Sequence, residues 1–129
     1  MYSPWYLRYN IISSNIEFVK KNAGKEINGF NNHMWNGITC LQFAIIVNII
    51  IKKGFWWNGV RHIFSPQSHS KYELVCMIND IYDLKAKINK FDTPQPLDKT
   101  LKSEYDSCGL FDIPPLQKQI ESLSKFSLQ

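Results

Sequence analysis

Three cysteines and three histidines carry most of the reactive chemistry available to this chain: Cys40, Cys76, Cys108, His33, His62 and His69. A thiol nucleophile needs a site that favours thiolate, such as a helix N-terminus, with a histidine to take the proton and an Asn or Asp to orient it. Thr39-Cys40-Leu41-Gln42 has the form of a helix-capping box, which puts Cys40 in the first turn of a helix with His62 or His69 as candidate bases. No second feature ties Cys40 to either histidine, and a cysteine on an apolar helix is far more often packing. No catalytic residue is therefore assigned, and hydrolysis through Cys40 is kept as an alternative. The cysteines and histidines show none of the short paired spacings of zinc sites, so no metal ligand is assigned. The glycines are not arranged as a phosphate-cradling loop, so no cofactor is expected.

Binding chemistry is better represented. Phe55-Trp56-Trp57-Asn58-Gly59-Val60-Arg61-His62-Ile63-Phe64 places Asn-Gly between aromatic and β-branched residues, the strongest short-range signal for a β-hairpin. In that register Trp57 faces Val60, Trp56 faces Arg61 and Phe55 faces His62, and a Trp56–Arg61 stack contributes about 0.5 to 1 kcal/mol. Tyr, Trp and Arg dominate interface energetics, so Trp56, Trp57, Arg61 and Phe64 are the candidate binding residues. Stacking of single-stranded bases on Trp35, Trp56 or Trp57 beside Lys52, Lys53 and Arg61 lacks the basic stripe that nucleic-acid binding needs. The function expected is a non-enzymatic protein-binding module: a small inhibitor, an immunity or anti-defence protein, or an accessory subunit. Its partner is another protein, with homo-oligomerisation open.

The elements that would position these residues follow from capping and periodicity. Trp5, Tyr9, Ile12, Ile16 and Val19 share one helical face, and Ser3-Pro4 can open that helix, giving a span of about 4–22. Ser14-Asn15-Ile16-Glu17 is a second capping box, so a start near Asn15 is the alternative. Residues 24–37 read as an ordered loop pinned by Phe30, Met34 and Trp35. An apolar run then extends to Lys52-Lys53-Gly54 and, being greasy nearly all round, should be the central helix on which the others pack. Ser70-Lys71-Tyr72-Glu73 opens a helix of about 70–90 with Leu74, Ile78, Ile81 and Ile88 on one stripe. Short helices of about 98–107 and after Asp112-Ile113-Pro114-Pro115 complete a mainly α fold of about five helices with one aromatic hairpin at residues 55–64.

Composition fits one globular domain over residues 1–129: 44% apolar and 20% charged, with four Trp, six Tyr and eight Phe. Residues 1–70 carry seven basic and two acidic side chains, against eight and nine in the remainder, a mild lean towards acidic partners. Lysine far outnumbers arginine and Asn and Ile are plentiful, a composition suggestive of an AT-rich genome. An odd number of widely spaced cysteines suits reduced thiols and a cytoplasmic location, and residues 1–15 lack the apolar core of a signal peptide. Ile38–Ile51 is shorter than the roughly 18 to 20 residues of a membrane span. Membrane association through residues 38–57 is the remaining alternative.

Two partial resemblances complete the reading. Gly37-Ile38-Thr39-Cys40-Leu41-Gln42-Phe43-Ala44 is similar to the ankyrin opening G-x-T-P-L-H-x-A at its Gly, Thr, Leu and Ala, and Val47–Gly54 is similar to that repeat's second helix. Pro and His are replaced by Cys40 and Gln42, and nothing after Gly54 continues the period. A single repeat cannot bury its own face, so no family is assigned. Cys40 at a helix start resembles papain-like enzymes in that placement alone.

Overall fold

The computed structural model describes residues 5–8 and 13–126, with side chains described for residues 15–126. Strand β1 (Trp5–Arg8) and helix α1 (Ser13–Lys21) are followed by strands β2 (Glu26–Phe30) and β3 (His33–Trp35) and helix α2 (Cys40–Lys53). Strands β4 (Gly59–His62) and β5 (His69–Ser70) lead into helix α3 (Lys71–Ile81). Strands β6 (Lys87–Phe91) and β7 (Leu97–Asp98) then precede helices α4 (Ser107–Phe111) and α5 (Leu116–Lys125). With seven strands among the described residues, the expected mainly α fold is corrected to a mixed α/β one.

Among the described residues the strands make three small sheets. β1 lies parallel to β4, with Trp5 opposite Gly59 and Arg8 opposite His62. β2 lies parallel to β6, from Glu26 opposite Lys87 to Phe30 opposite Phe91. β3 is antiparallel to β5 and parallel to β7. Parallel partners need a crossover of a dozen or more residues, so each pairing joins segments far apart in sequence.

That requirement explains the missing hairpin. Gly59 does adopt positive φ (86°), but Gly59–His62 pairs with β1 and Phe55–Trp57 belong to no strand. Gly54 closes α2 in the left-handed conformation (φ 63°), and the Phe55 N–H still donates to Ile50 O at 3.1 Å. Phe55 therefore finishes a helical turn instead of opening a strand.

Other boundaries are corrected for equally local reasons. The helix expected over 4–22 is interrupted, since Trp5 lies in β1 and α1 begins at Ser13, near the alternative start; the Ser3-Pro4 cap, Tyr9 and Ile12 lie outside the described residues. Residues 24–37 are not a loop but contain β2 and β3. The helix expected over 70–90 stops at Ile81 because Asp83 (φ 49°) and Lys85 (φ 56°) turn left-handed. Asn79 consolidates that turn: its side-chain amide donates to Ala86 O at 3.0 Å and accepts from Ala86 N–H at 2.9 Å. Ile88 thus belongs to β6. The helix expected over 98–107 does not form: Asp98 ends β7, and α4 begins only at Ser107, its start fixed by Asp106 accepting the Gly109 N–H at 3.0 Å.

Two capping signals operate as read. Thr39 Oγ1 accepts from Gln42 N–H and Ser70 Oγ from Glu73 N–H, each at 3.1 Å, contributions of about 1 kcal/mol apiece.

Among the described residues the core has two parts. Ile16, Val19, Ile27, Trp35, Leu74, Val75, Ile78, Leu116 and Ile120 pack around α3, which touches α1, α5, β2 and β6. Ile38, Ile46, Ile50, Ile63, Phe111 and Ile113 form the second cluster under α2. Only Gln42, Ile46 and Ile50 of α2 are buried, while Ile45 is 41% and Ile51 68% exposed. α2 is a flank of the molecule, and α3 takes the central place expected for it.

α3 also crosses β2 closely. A Cβ on Gly29 would stand 2.8 Å from Tyr72 Cα and 3.2 Å from Ile88 Cγ2. Gly29→Ala should therefore lower stability by about 1 to 3 kcal/mol through overpacking, read as a shifted midpoint in urea unfolding with an unchanged slope.

Candidate functional site

A concavity of about 520 Å³ opens where the chain leaves α2 and returns on β4. Phe55, Trp56, Trp57 and Arg61 form one wall, and Glu104, Tyr105, Asp106, Ser107, Leu110 and Phe111 the other. Three elements set its shape. The Gly54 cap throws Phe55–Trp57 outward, β4 holds Arg61, and α4 with the segment before it supplies the opposite side. Phe55 and Phe111 meet edge-to-face with centroids 6.2 Å apart at the base. Trp56 stands 73% exposed.

Arg61 is the polar centre of this cavity. Its guanidinium lies 3.4 Å from the Tyr105 ring centroid and 5.5 Å from that of Trp57. Stacking fixes the plane of the fork at about 0.5 to 2 kcal/mol per ring and leaves its edge as a donor array matched to phosphate or carboxylate. Arg61 Nε is buried with no hydrogen-bond partner among the described residues. Such a donor costs about 1 to 3 kcal/mol while unmet. Lys53 adds a second cation nearby, 6.0 Å from the Phe55 centroid. Glu104 and Asp106 are exposed carboxylates at the rim and can accept hydroxyl groups, although Asp106 already caps Gly109. The arrangement suits a ligand with a flat ring, an anionic group and hydroxyls.

Of the four candidate binding residues, Trp56, Trp57 and Arg61 line this cavity. Phe64 does not: it is half-buried, and its carbonyl accepts from Cys108 Sγ–H at 3.3 Å. Arg61 stacks on Trp57 and Tyr105, a correction to the expected Trp56–Arg61 stack. Sequence reasoning missed the whole Glu104–Phe111 wall. Its residues lie more than forty positions downstream, and no local pattern links them to Arg61.

No histidine joins Cys40. That exposed cysteine borders a depression with Ile16, Glu17, Lys20, Tyr82 and Leu123. His33 Nε2 contacts Thr93 Oγ1 at 2.9 Å, His62 Nδ1 donates to Lys102 O at 2.8 Å, and His69 Nδ1 meets Glu73 Oε2 at 3.0 Å. Burial raises the pKa of Cys76 and of Cys108, with nearby Asp106 adding to the second, so both carry less thiolate near neutral pH. Alkylation with iodoacetamide at pH 7.5 should therefore modify exposed Cys40 first, by about tenfold or more, as peptide mass mapping will show. Among the described residues no group of three metal-ligating side chains converges, and no helix is long and apolar enough to cross a membrane.

No protein-family model matches this sequence, and no curated protein matches it. Solved structures do. The dTDP-4-dehydrorhamnose reductase of Bacillus anthracis, solved with NADP, superposes with a TM-score of 0.66 at 15% identity, over 95% of this chain and 46% of that one. The Yersinia enterocolitica dTDP-4-dehydrorhamnose reductase gives 0.67 at 17% identity, over 92% and 47%. A UDP-N-acetylglucosamine 4-epimerase from Methanobrevibacter ruminantium, in complex with UDP-N-acetylmuramic acid, gives 0.59 at 15% identity, over 95% and 46%. The fold is that of a part of such reductases and epimerases, and the chain spans about half the length of each.

These likenesses correct the functional expectation. The expected non-enzymatic module, whether inhibitor, immunity or anti-defence protein or accessory subunit, is corrected, because the chain has the fold of a part of solved dTDP-4-dehydrorhamnose reductases. The papain-like alternative fails with the same finding and with the absence of a histidine beside Cys40. The membrane alternative has no support in α2, whose fourteen residues end in exposed Lys52 and Lys53.

Proposed function

We propose that this chain is the nucleotide-sugar-holding portion of a reductase- or epimerase-type enzyme, with the Arg61 cavity receiving the nucleoside diphosphate. The observation that carries the reading is the Arg61 guanidinium clamped between Tyr105 and Trp57 in a fold shared with enzymes that act on dTDP- and UDP-linked sugars. Arg61 would pair with a phosphate, Trp56 or Tyr105 would stack the base, and Glu104 and Asp106 would accept sugar or ribose hydroxyls. A dinucleotide cradle needs a glycine-rich turn between a strand and a helix. The six glycines at 24, 29, 37, 54, 59 and 109 do not supply one. NAD(P) would therefore be held by another portion of the fold.

The β1–β4 pair supports the same reading. Parallel strands are found almost only in wider sheets covered on both faces, and here the pair stands alone among the described residues. A further strand from the dinucleotide-holding portion would continue it. Free Cys40, Cys76 and Cys108 favour a reducing, cytoplasmic setting.

Calorimetric titration tests the proposal. UDP and dTDP should bind the chain in the micromolar range, and NADPH about tenfold or more weakly. Tighter binding of NADPH than of UDP, or no binding of either diphosphate, would remove it.

A further inference from the structure

The second wall of the cavity is carried by a strap, residues 99–106, that contains no helix or strand. Its course is set from elsewhere in the molecule. Buried Asn36 holds one end, donating to Leu101 O at 2.9 Å and accepting from Leu101 N–H at 2.8 Å, and Asp106 fixes the other as the cap of α4. Between these anchors the strap meets two consecutive residues of β4. Arg61 lies under Tyr105, and His62 Nδ1 stands 2.8 Å from Lys102 O. Consecutive side chains of a strand point to opposite faces, so a strap that meets both must pass around the outer edge of β4. A carbonyl can only accept, so Nδ1 of His62 carries the proton and donates.

We propose that His62 is a positioning residue for this cavity: a latch that holds the strap around β4 and thereby sets the Tyr105 ring against Arg61. His62 is not among the lining residues. It acts by fixing the gap into which a ligand's anionic group must fit. The two β4 neighbours divide the work, Arg61 offering donors to the ligand and His62 holding the wall that keeps those donors aligned. The latch concerns the geometry of the strap; its effect on ligand affinity rests on the reading of the cavity given under Proposed function.

Two substitutions in the full chain test it. His62→Phe removes the donor and keeps a ring, while His62→Gln offers an amide N–H to the same carbonyl. Hydrogen exchange at Leu101 and Tyr105, UDP titration and urea unfolding are read on each. For His62→Phe, exchange in the strap should rise and UDP binding weaken, each about tenfold, while amides of α3 stay protected. His62→Gln should return both to within about threefold of the native chain. Strap exchange in His62→Phe equal to that of the native chain, or His62→Gln as impaired as His62→Phe, would overturn the latch. A native chain that ignores UDP, with strap exchange still answering to these substitutions, would overturn the ligand assignment and leave the latch standing.

Discussion

Replacing Gln119 by Leu should cost about 3 kcal/mol or more of folding free energy, a large share of the 5 to 15 kcal/mol typical of a domain. Gln119 lies on α5 and is 2% exposed. Its Oε1 accepts the Thr39 N–H at 3.2 Å, and its Nε2 donates to Ser65 Oγ at 2.9 Å and to Pro114 O at 2.8 Å. Ser65 Oγ in turn donates to Gly37 O at 2.6 Å. Leucine nearly matches the volume but leaves the buried Thr39 N–H and the part-buried Pro114 carbonyl without their partner, at about 1 to 3 kcal/mol for a fully buried group. The effect should rival truncation of fully buried Leu116 to Ala, for which about 2 to 5 kcal/mol is expected. Urea unfolding measures both. A loss under about 0.5 kcal/mol for Gln119→Leu would mean that the network around α5 contributes little. Ser65→Ala combined with Gln119→Leu should cost less than the sum of the two single losses, because both act on one network.

The largest effect on binding is expected at Arg61. Arg61→Ala should weaken UDP binding by about 30-fold or more, since hydrogen bonds to charged groups contribute about 1.5 to 3 kcal/mol each. Arg61→Lys should recover only part of that loss. A lysine ammonium restores charge but not the planar fork that stacks on Tyr105 and Trp57. Stability should change little by comparison, because the segment is half-exposed and the guanidinium leaves no buried partner behind. Isothermal titration of the three proteins with UDP reads the series. Equal affinities across it would place the diphosphate elsewhere.

How far the sequence foretells this structure depends on whether a feature is local. Thr39 and Ser70 name helix starts because a side-chain oxygen three residues from an N–H is a local event, and both caps form. The strands are illegible for the opposite reason. Glu26–Phe30 becomes β2 only because Lys87–Phe91 lies beside it, and five residues containing a glycine and an asparagine do not announce that partner. Trp5 fits the helical face of Ile16 and Val19 by spacing, yet its segment is claimed by β4. Asn58-Gly59 signals a turn and Gly59 takes the positive φ, but the strand that follows finds a parallel partner instead of its neighbour. Asparagine side chains add a kind of pairing that periodicity does not register. Asn32, Asn36 and Asn79 each bond both the N–H and the C=O of one other residue, Thr93, Leu101 and Ala86 respectively, in place of a ladder. Half of the candidate site is legible in Trp56-Trp57 and Arg61 as an excess of aromatic surface beside a cation. The other half arrives with the strap that Asn36 and His62 hold in place.

The central claim is that the Arg61 cavity receives a nucleoside diphosphate, and amide and indole chemical shifts of the isotopically labelled chain titrated with UDP test it most directly. Saturable shifts are predicted at Trp56, Trp57, Arg61, Tyr105 and Asp106, with the amides of α1 and β6 unmoved. Shifts centred on any other surface, or none at millimolar UDP, would contradict it.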